Sequence, residues 1–248
     1  ADRRAAASAL LPVADAVRWS YADAWSNTWS ASNPPRGATF AYWLKEAPKD
    51  DIRLEIVDER GRVAQSLSSR PHPLTGITEY AYAEADAWKK AALPKEAGLN
   101  LATWDLHWEG AEILQDAIVD SGDPTVGPLA VPGAYTARLI VDGKTSTAPF
   151  RILPDPRSTV AQADLVAQLE VGLSIRDAIS DTVRGARRLQ SVRKQLLARN
   201  DLLAAEPALA DKSKDLRAAA TALAERLVRI EHQLHNPDAK IGYDILAQ

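Results

Sequence analysis

A chain of 248 residues, 46% hydrophobic and 25% charged, is long enough for one large or two modest domains, each able to bury a core, and its composition excludes disordered and collagen-like classes. Its 30 basic and 33 acidic residues leave a formal charge of -3, so the global balance calls for neither nucleic acid nor an anionic membrane surface, and no apolar run approaches the ~20 residues of a membrane span. Cysteine is absent, which excludes a disulfide framework and a thiolate zinc site.

Methionine is absent as well, so the chain is expected to be a processed product or an excised piece. Ala1–Leu11 carries two arginines and a short apolar stretch, then runs into a charged, Trp-bearing segment; it does not read as a signal peptide. Residues 1–32 are read as an N-terminal arm bearing Trp19, Tyr21, Trp25 and Trp29. Aromatics spaced in this way either stack on sugar rings, as in a carbohydrate-binding module, or pin the arm to its own domain by burying large apolar area.

From residue 33 to 153 apolar residues recur at every second position between frequent turns, the pattern of a β-sandwich. The cluster Asn33-Pro34-Pro35-Arg36-Gly37 releases the chain into a strand at Thr39–Leu44. Ile52, Leu54 and Ile56 share one face of the next strand and Arg53 and Glu55 the other. Asp58-Glu59-Arg60-Gly61 then turns the chain back through Arg62–Leu67 as a hairpin. Ser68–Gly98 holds three prolines without clean periodicity and is expected to be a long loop, cheap in closure entropy. Strand pattern resumes over Leu99–Trp108. A last hairpin pairs Gly133–Val141 with Lys144–Ile152 across Asp142-Gly143, a dipeptide that tolerates the two positive φ angles of a type I′ turn.

At Pro154-Asp155-Pro156 the period changes to three and four. Ser158 or Thr159 is expected to cap a helix, with Gln162 completing a capping box on Thr159. The inward seam then reads Leu165, Leu169, Gly172, Ile175, Ile179, Val183, Ala186, Leu189, Val192 and Leu196. That is a rod of roughly 50 Å at ~1.5 Å per residue. After a break over Asn200–Lys214, Leu216, Ala220, Leu223, Leu227, Ile230 and Leu234 form a heptad seam. Residues 158–236 are therefore expected to be an antiparallel helical hairpin. The unmatched end of the first helix, at Leu165, Leu169 and Ile175, and the apolar tail 237–248, with Ile241, Tyr243 and Ile245, are expected interface residues. The short, proline-stiffened junction is expected to be a rigid elbow.

Three groups of residues are candidates for chemistry. On a strand, Asp105, His107 and Glu109 project to one face and Trp104, Leu106 and Trp108 to the other. The first set has the donors for a divalent metal or for acid/base hydrolysis, and is also what a solvated face over a Trp-lined core looks like. Trp19, Trp25 and Trp29 are the candidate sugar platform. Arg184, Arg187, Arg188, Arg193, Lys194 and Arg199 form the one dense basic run, read as a solvated helix face because no base-reading residues accompany it. There is no nucleophile elbow and no phosphate-cradling glycine loop, so no cofactor is called for.

Several phrases in order carry a family resemblance: Asn33-Pro34-Pro35-Arg36-Gly37-Ala38, Ala41–Lys45, Ile52–Asp58, Leu99-Asn100 through Trp104-Asp105-Leu106, Gly127-Pro128 through Val131–Thr136, Pro154–Arg157 and Ser191–Leu196. Over about residues 33–240 the chain resembles the C-terminal region of bacterial Asp-box (BNR) repeat proteins, labelled glycosyl hydrolase-like or sortilin-like. The strand-rich half is also similar to the sandwich of flagellar hook-capping proteins. The resemblance implies an Ig-like sandwich and a helical region that accompany a β-propeller, in a periplasmic or extracellular protein. The propeller's repeated Ser-x-Asp-x-Gly-x-Thr-Trp turn is missing here. Any glycosidase activity would therefore belong to the propeller, leaving this chain as a non-catalytic region that docks it or mediates assembly.

Overall fold

The computed structural model describes residues 6–19, 36–70, 92–114 and 124–234. Trp25, Trp29, Ile241, Tyr243, Ile245 and most of the expected loop over Ser68–Gly98 lie outside them. The chain divides into two compact units whose boundary crosses the first helix between Ile175 and Arg176. The first unit holds the strands and the start of that helix; of the described residues, the second holds 111–114, Pro124, the rest of the helix and the chain after it to Leu234.

In the first unit, β1 (Ser8–Leu10), β3 (Ala38–Leu44) and β6 (Gly98–Trp104) form an antiparallel three-stranded sheet in the order β1-β3-β6. A five-stranded sheet has the order β2-β10-β9-β4-β5, from β2 (Ala16–Arg18), β4 (Arg53–Asp58), β5 (Val63–Ser68), β9 (Gly133–Val141) and β10 (Lys144–Pro154). The pair β7 (His107–Glu109) and β8 (Val126–Leu129) stands apart. Residues 8–10 and 16–18, assigned from sequence to an arm, thus supply an edge strand to each main sheet. β2 runs parallel to β10, and Asp15 Oδ1 accepts the Arg151 N–H at 2.9 Å.

Both main sheets turn their alternate apolar residues into one core. Phe40, Tyr42 and Leu44 from β3 meet Leu54 and Ile56 from β4, Tyr135, Ala137 and Leu139 from β9, and Phe150 and Ile152 from β10. Each large side chain buried here is worth ~1.5–3 kcal/mol. The rings of Phe40 and Phe150 meet edge to face at 5.5 Å, and those of Trp104 and Phe150 at 6.4 Å, geometries that add to the area term. Two expected hairpins form. Asp58 closes the β4–β5 turn by accepting the N–H groups of Arg60 and Arg62 at 3.0 and 2.8 Å. Asp142 and Gly143 carry the positive φ angles, 48° and 74°, that the β9–β10 turn requires.

β10 ends at Pro154, and Asp155 then organises the junction. Its carboxylate accepts the Arg157 N–H and guanidinium, which hold its pKa down to about 2. Its carbonyl accepts the Ser158 N–H at 3.0 Å. The expected capping box is corrected: α1 (Gln162–Ala205) starts later, with the Ala161 carbonyl taking the first amides. Gln162 instead donates its side-chain N–H to the Pro132 carbonyl at 2.7 Å. That contact ties the first turn to the strand region.

The first turns of α1 belong to the sheet core. Leu169 and Leu173 are buried in it and Leu165 is half-buried. Glu170 accepts hydrogen bonds from both Arg60 and Arg62 at 3.0 Å. Ile175, expected on the seam, is 56% exposed; burial passes from Leu169 to Leu173, and a step of four from there leads past it.

In the second unit α1 continues to Ala205 and α2 (Lys214–Leu234) returns along it. Asn200 donates to the Arg217 carbonyl and to Thr221, while Gln190 and Arg193 reach Glu231. Late residues of α1 thus meet early residues of α2, as an antiparallel pair requires. At 44 residues, α1 measures about 66 Å, longer than the periodicity suggests because it runs through Asn200 to within two residues of Pro207.

Candidate functional site

The strand expected over Leu99–Trp108 is interrupted. Leu106 has φ 71°, a left-handed conformation that ends β6 and starts β7 in a new direction. Burial still alternates, with Trp104, Leu106 and Trp108 inside, but Asp105, His107 and Glu109 no longer stand on the face of one strand. Three hydrogen bonds hold the turn: Trp104 Nε1–H donates to the His107 carbonyl at 2.6 Å, His107 N–H to Asp105 Oδ1 at 3.0 Å, and Ala130 N–H to the Leu106 carbonyl at 2.7 Å.

The turn brings two of the three candidates together. His107 Nδ1 lies 3.2 Å from Asp105 Oδ2, close enough for electrostatic pairing although not aligned as a hydrogen bond. Burial pushes the Asp105 carboxyl up, but the hydrogen bond from the His107 backbone N–H, the adjacent His107 imidazole and the Arg36 charge outweigh it and hold it below its usual value. Glu109 sits on β7 near Val126 of β8. Among the described residues no three His, Asp or Glu side chains come together as a metal site would need.

Asp105 and His107 line a cleft of about 460 Å³, together with Gln65, Leu67, Trp104 and Trp108. It lies beside β5 and β6, each the last strand of its sheet. The volume falls within the range of small-ligand sites. Arg62 stacks over the Trp108 ring at 4.9 Å, so that ring is already engaged on one face. Glu109 does not line the cleft; the described residues around it offer one carboxylate and an imidazole, and among them there is no two-carboxylate pair of the glycosidase kind.

The second unit presents a different surface. α2 turns Arg217, Ala224 and Glu231 towards α1, with Glu231 only 2% exposed. Its carboxylate accepts from Gln190 at 2.6 Å and Arg193 at 2.9 Å. The expected inward seam is therefore corrected in part: Ala220 and Leu227 are half-buried as expected, whereas Leu216, Leu223 and Ile230 are 63%, 41% and 45% exposed, and Leu234 is exposed too. On α1, Ile179 and Val192 are likewise exposed, whereas Ala186 is buried. The small Ala224 lets the helices approach, and the long polar groups of Gln190, Arg193 and Glu231 fill the seam.

The basic run divides by partner. Arg184 and Arg187 clasp Glu112, whose N–H donates to Ser180 Oγ at 3.1 Å, and Arg187 also binds the Ile113 carbonyl. This fastens residues 111–114 to the helix, a tie that nothing in the local sequence signals. Arg193 serves the seam. Arg188, Lys194 and Arg199 make no ion pair among the described residues. Trp19, the one platform candidate within the described residues, is 38% exposed. No described helix is long and apolar enough to cross a membrane. Comparison with protein-family models, curated proteins and solved structures finds no match for this chain.

Proposed function

We propose that the chain is a non-catalytic accessory region of a BNR-repeat, glycosyl hydrolase-like protein, one that docks a β-propeller domain or mediates assembly. The observation that carries the reading is the row of Leu216, Leu223, Ile230 and Leu234 left outward on α2. Scattered exposed leucines need no explanation, but a heptad-spaced row on one helix side supports an interface. An Ig-like sandwich for the strand region is supported by Tyr135. It stands near the start of β9 and donates its hydroxyl to the Val131 carbonyl at 3.0 Å, the arrangement of a tyrosine corner. Burial, chiefly, raises the pKa of that phenol, so it remains a donor at neutral pH. In sedimentation velocity with the β-propeller domain of the same protein, a faster-moving complex is expected; two independent boundaries would sink the reading.

A second reading, carbohydrate binding, is favoured by the cleft that holds Trp104, Asp105, His107 and Gln65. Its hydrogen-bonding groups beside apolar walls are the chemistry a sugar needs. On a glycan array the wild-type chain would retain glycans that His107→Ala loses; an empty array would reject it.

A further inference from the structure

The exposed row on α2 belongs to a larger apolar side of the helix pair. Leu216, Leu223 and Ile230 each precede a seam residue, Arg217, Ala224 and Glu231. They are therefore rotated about 100° backwards from the α1-facing line at ~3.6 residues per turn. Val192 and Arg199 precede the α1 seam residues Arg193 and Asn200 in the same way. Because the helices are antiparallel, a backward rotation on each leads to the same side of the pair. Val192 thus extends the apolar surface that α2 begins.

Charge marks that side. Arg199 lies on it beside Val192, and Arg188 is four residues before Val192, one turn away. Arg226 is three residues after Leu223 and four before Ile230. All three are exposed and have no ion-pair partner among the described residues. Asp201 and Glu225 follow Asn200 and Ala224 by one residue, which rotates them to the opposite side, where Lys194 also stands. Of the carboxylates on the arginine side, Asp181 lies seven residues before Arg188 and is held by Arg184, and Asp215 opens α2 eleven residues before Arg226. An apolar row flanked by unpaired arginines complements a helix with apolar a and d positions and carboxylates beside them. A second copy of this side would set Arg188, Arg199 and Arg226 against their own kind.

We infer that this side of the helix pair is the docking site for an acidic amphipathic helix of a partner chain. The inference rests on the interaction-region reading and names the partner's chemistry.

The test uses the full chain and two fluorescein-labelled three-heptad peptides with Leu at a and d, one carrying Glu at e and g, the other Lys. Fluorescence anisotropy is expected to show the Glu peptide binding at least about tenfold more tightly than the Lys peptide at about 50 mM salt, the margin shrinking at about 500 mM. The net charge of -3 would by itself favour the Lys peptide, so the preference reports the local surface. Arg188→Glu with Arg199→Glu should reverse it, and Leu223→Gln with Ile230→Gln should weaken both peptides. Equal binding, or a Lys preference, overturns the inference. So does a concentration-dependent dimer that Leu223→Gln with Ile230→Gln dissolves, which would assign the side to a second copy. Binding to phosphatidylglycerol vesicles in place of the Glu peptide would overturn it in favour of a lipid surface. A chain that ignores both peptides yet sediments with the propeller would refute the helix partner alone; one that does neither would refute the interaction reading too.

Discussion

Gly37 and Gly127 let the backbone of the Trp104–Glu109 segment come closer than any other residue would allow. A Cβ on Gly37 would stand 1.9 Å from the Trp104 carbonyl oxygen, and φ there is +107°; one on Gly127 would stand 2.3 Å from the Trp108 carbonyl oxygen. Gly37→Ala and Gly127→Ala are predicted to lower stability by about 2–4 kcal/mol each, Gly37→Ala the more, since it adds backbone strain to the clash. Urea unfolding checks this; losses below about 0.5 kcal/mol would mean that the segment yields freely. Leu106→Ala, at a fully buried site, should cost about 2–5 kcal/mol through the cavity it leaves. The burial of Trp104, Leu106 and Trp108 was legible as alternation. The break was not, because leucine is no turn-former and its positive φ comes from the surroundings: the Ala130 and Trp104 hydrogen bonds and the approach of the two glycines.

The helix pair shows how a seam can be periodic in sequence and yet be out of phase in the structure. The heptad of Leu216, Leu223 and Ile230 was legible, and so were the hairpin and its break near Pro207. Which residues of α2 meet α1 was legible only in part: Ala220 and Leu227 are half-buried, but Leu216, Leu223 and Ile230 are not, because a single partner covers only part of a wide apolar sector and the ion pair at Glu231 competes for the rest. Arg193→Ala removes the cation paired with the buried Glu231 carboxylate, leaving its charge uncompensated although Gln190 still donates to it, and is predicted to destabilise the chain by about 3 kcal/mol; Glu231→Leu should be near neutral, because Arg193 can turn its charge to water. Equal losses in thermal unfolding would deny this asymmetry. Glu112 supplies a pH test. Hydrogen bonds from Arg184, with the charges of Arg184 and Arg187, outweigh desolvation and hold its carboxyl below the ordinary 4.5. Its contribution is therefore complete above that value and is lost as pH falls through the lower folded one. Between about pH 5 and pH 3 the wild type should lose more Tm than Glu112→Gln; parallel curves would refute the assignment.

Across the whole chain, the change of period at Pro154-Asp155-Pro156 marks where strand becomes helix but not where one unit ends. The first turns of α1 remain with the sheets through Leu169, Leu173 and the Glu170 ion pairs, and the boundary falls at Ile175. Contacts of that kind join residues more than a hundred positions apart, a separation that periodicity does not register. The same holds for β1 and β2, short strands whose pairing partners lie far along the chain. The cleft likewise depends on β5 and β6, the last strands of two different sheets, both contributing to its lining, a matter of topology. The interaction reading bears most directly on α2, and hydrogen–deuterium exchange of the full chain, alone and with the proposed β-propeller partner, tests it. Slower exchange over Lys214–Leu234 in the mixture is the expected result; exchange unchanged along that helix would contradict the account.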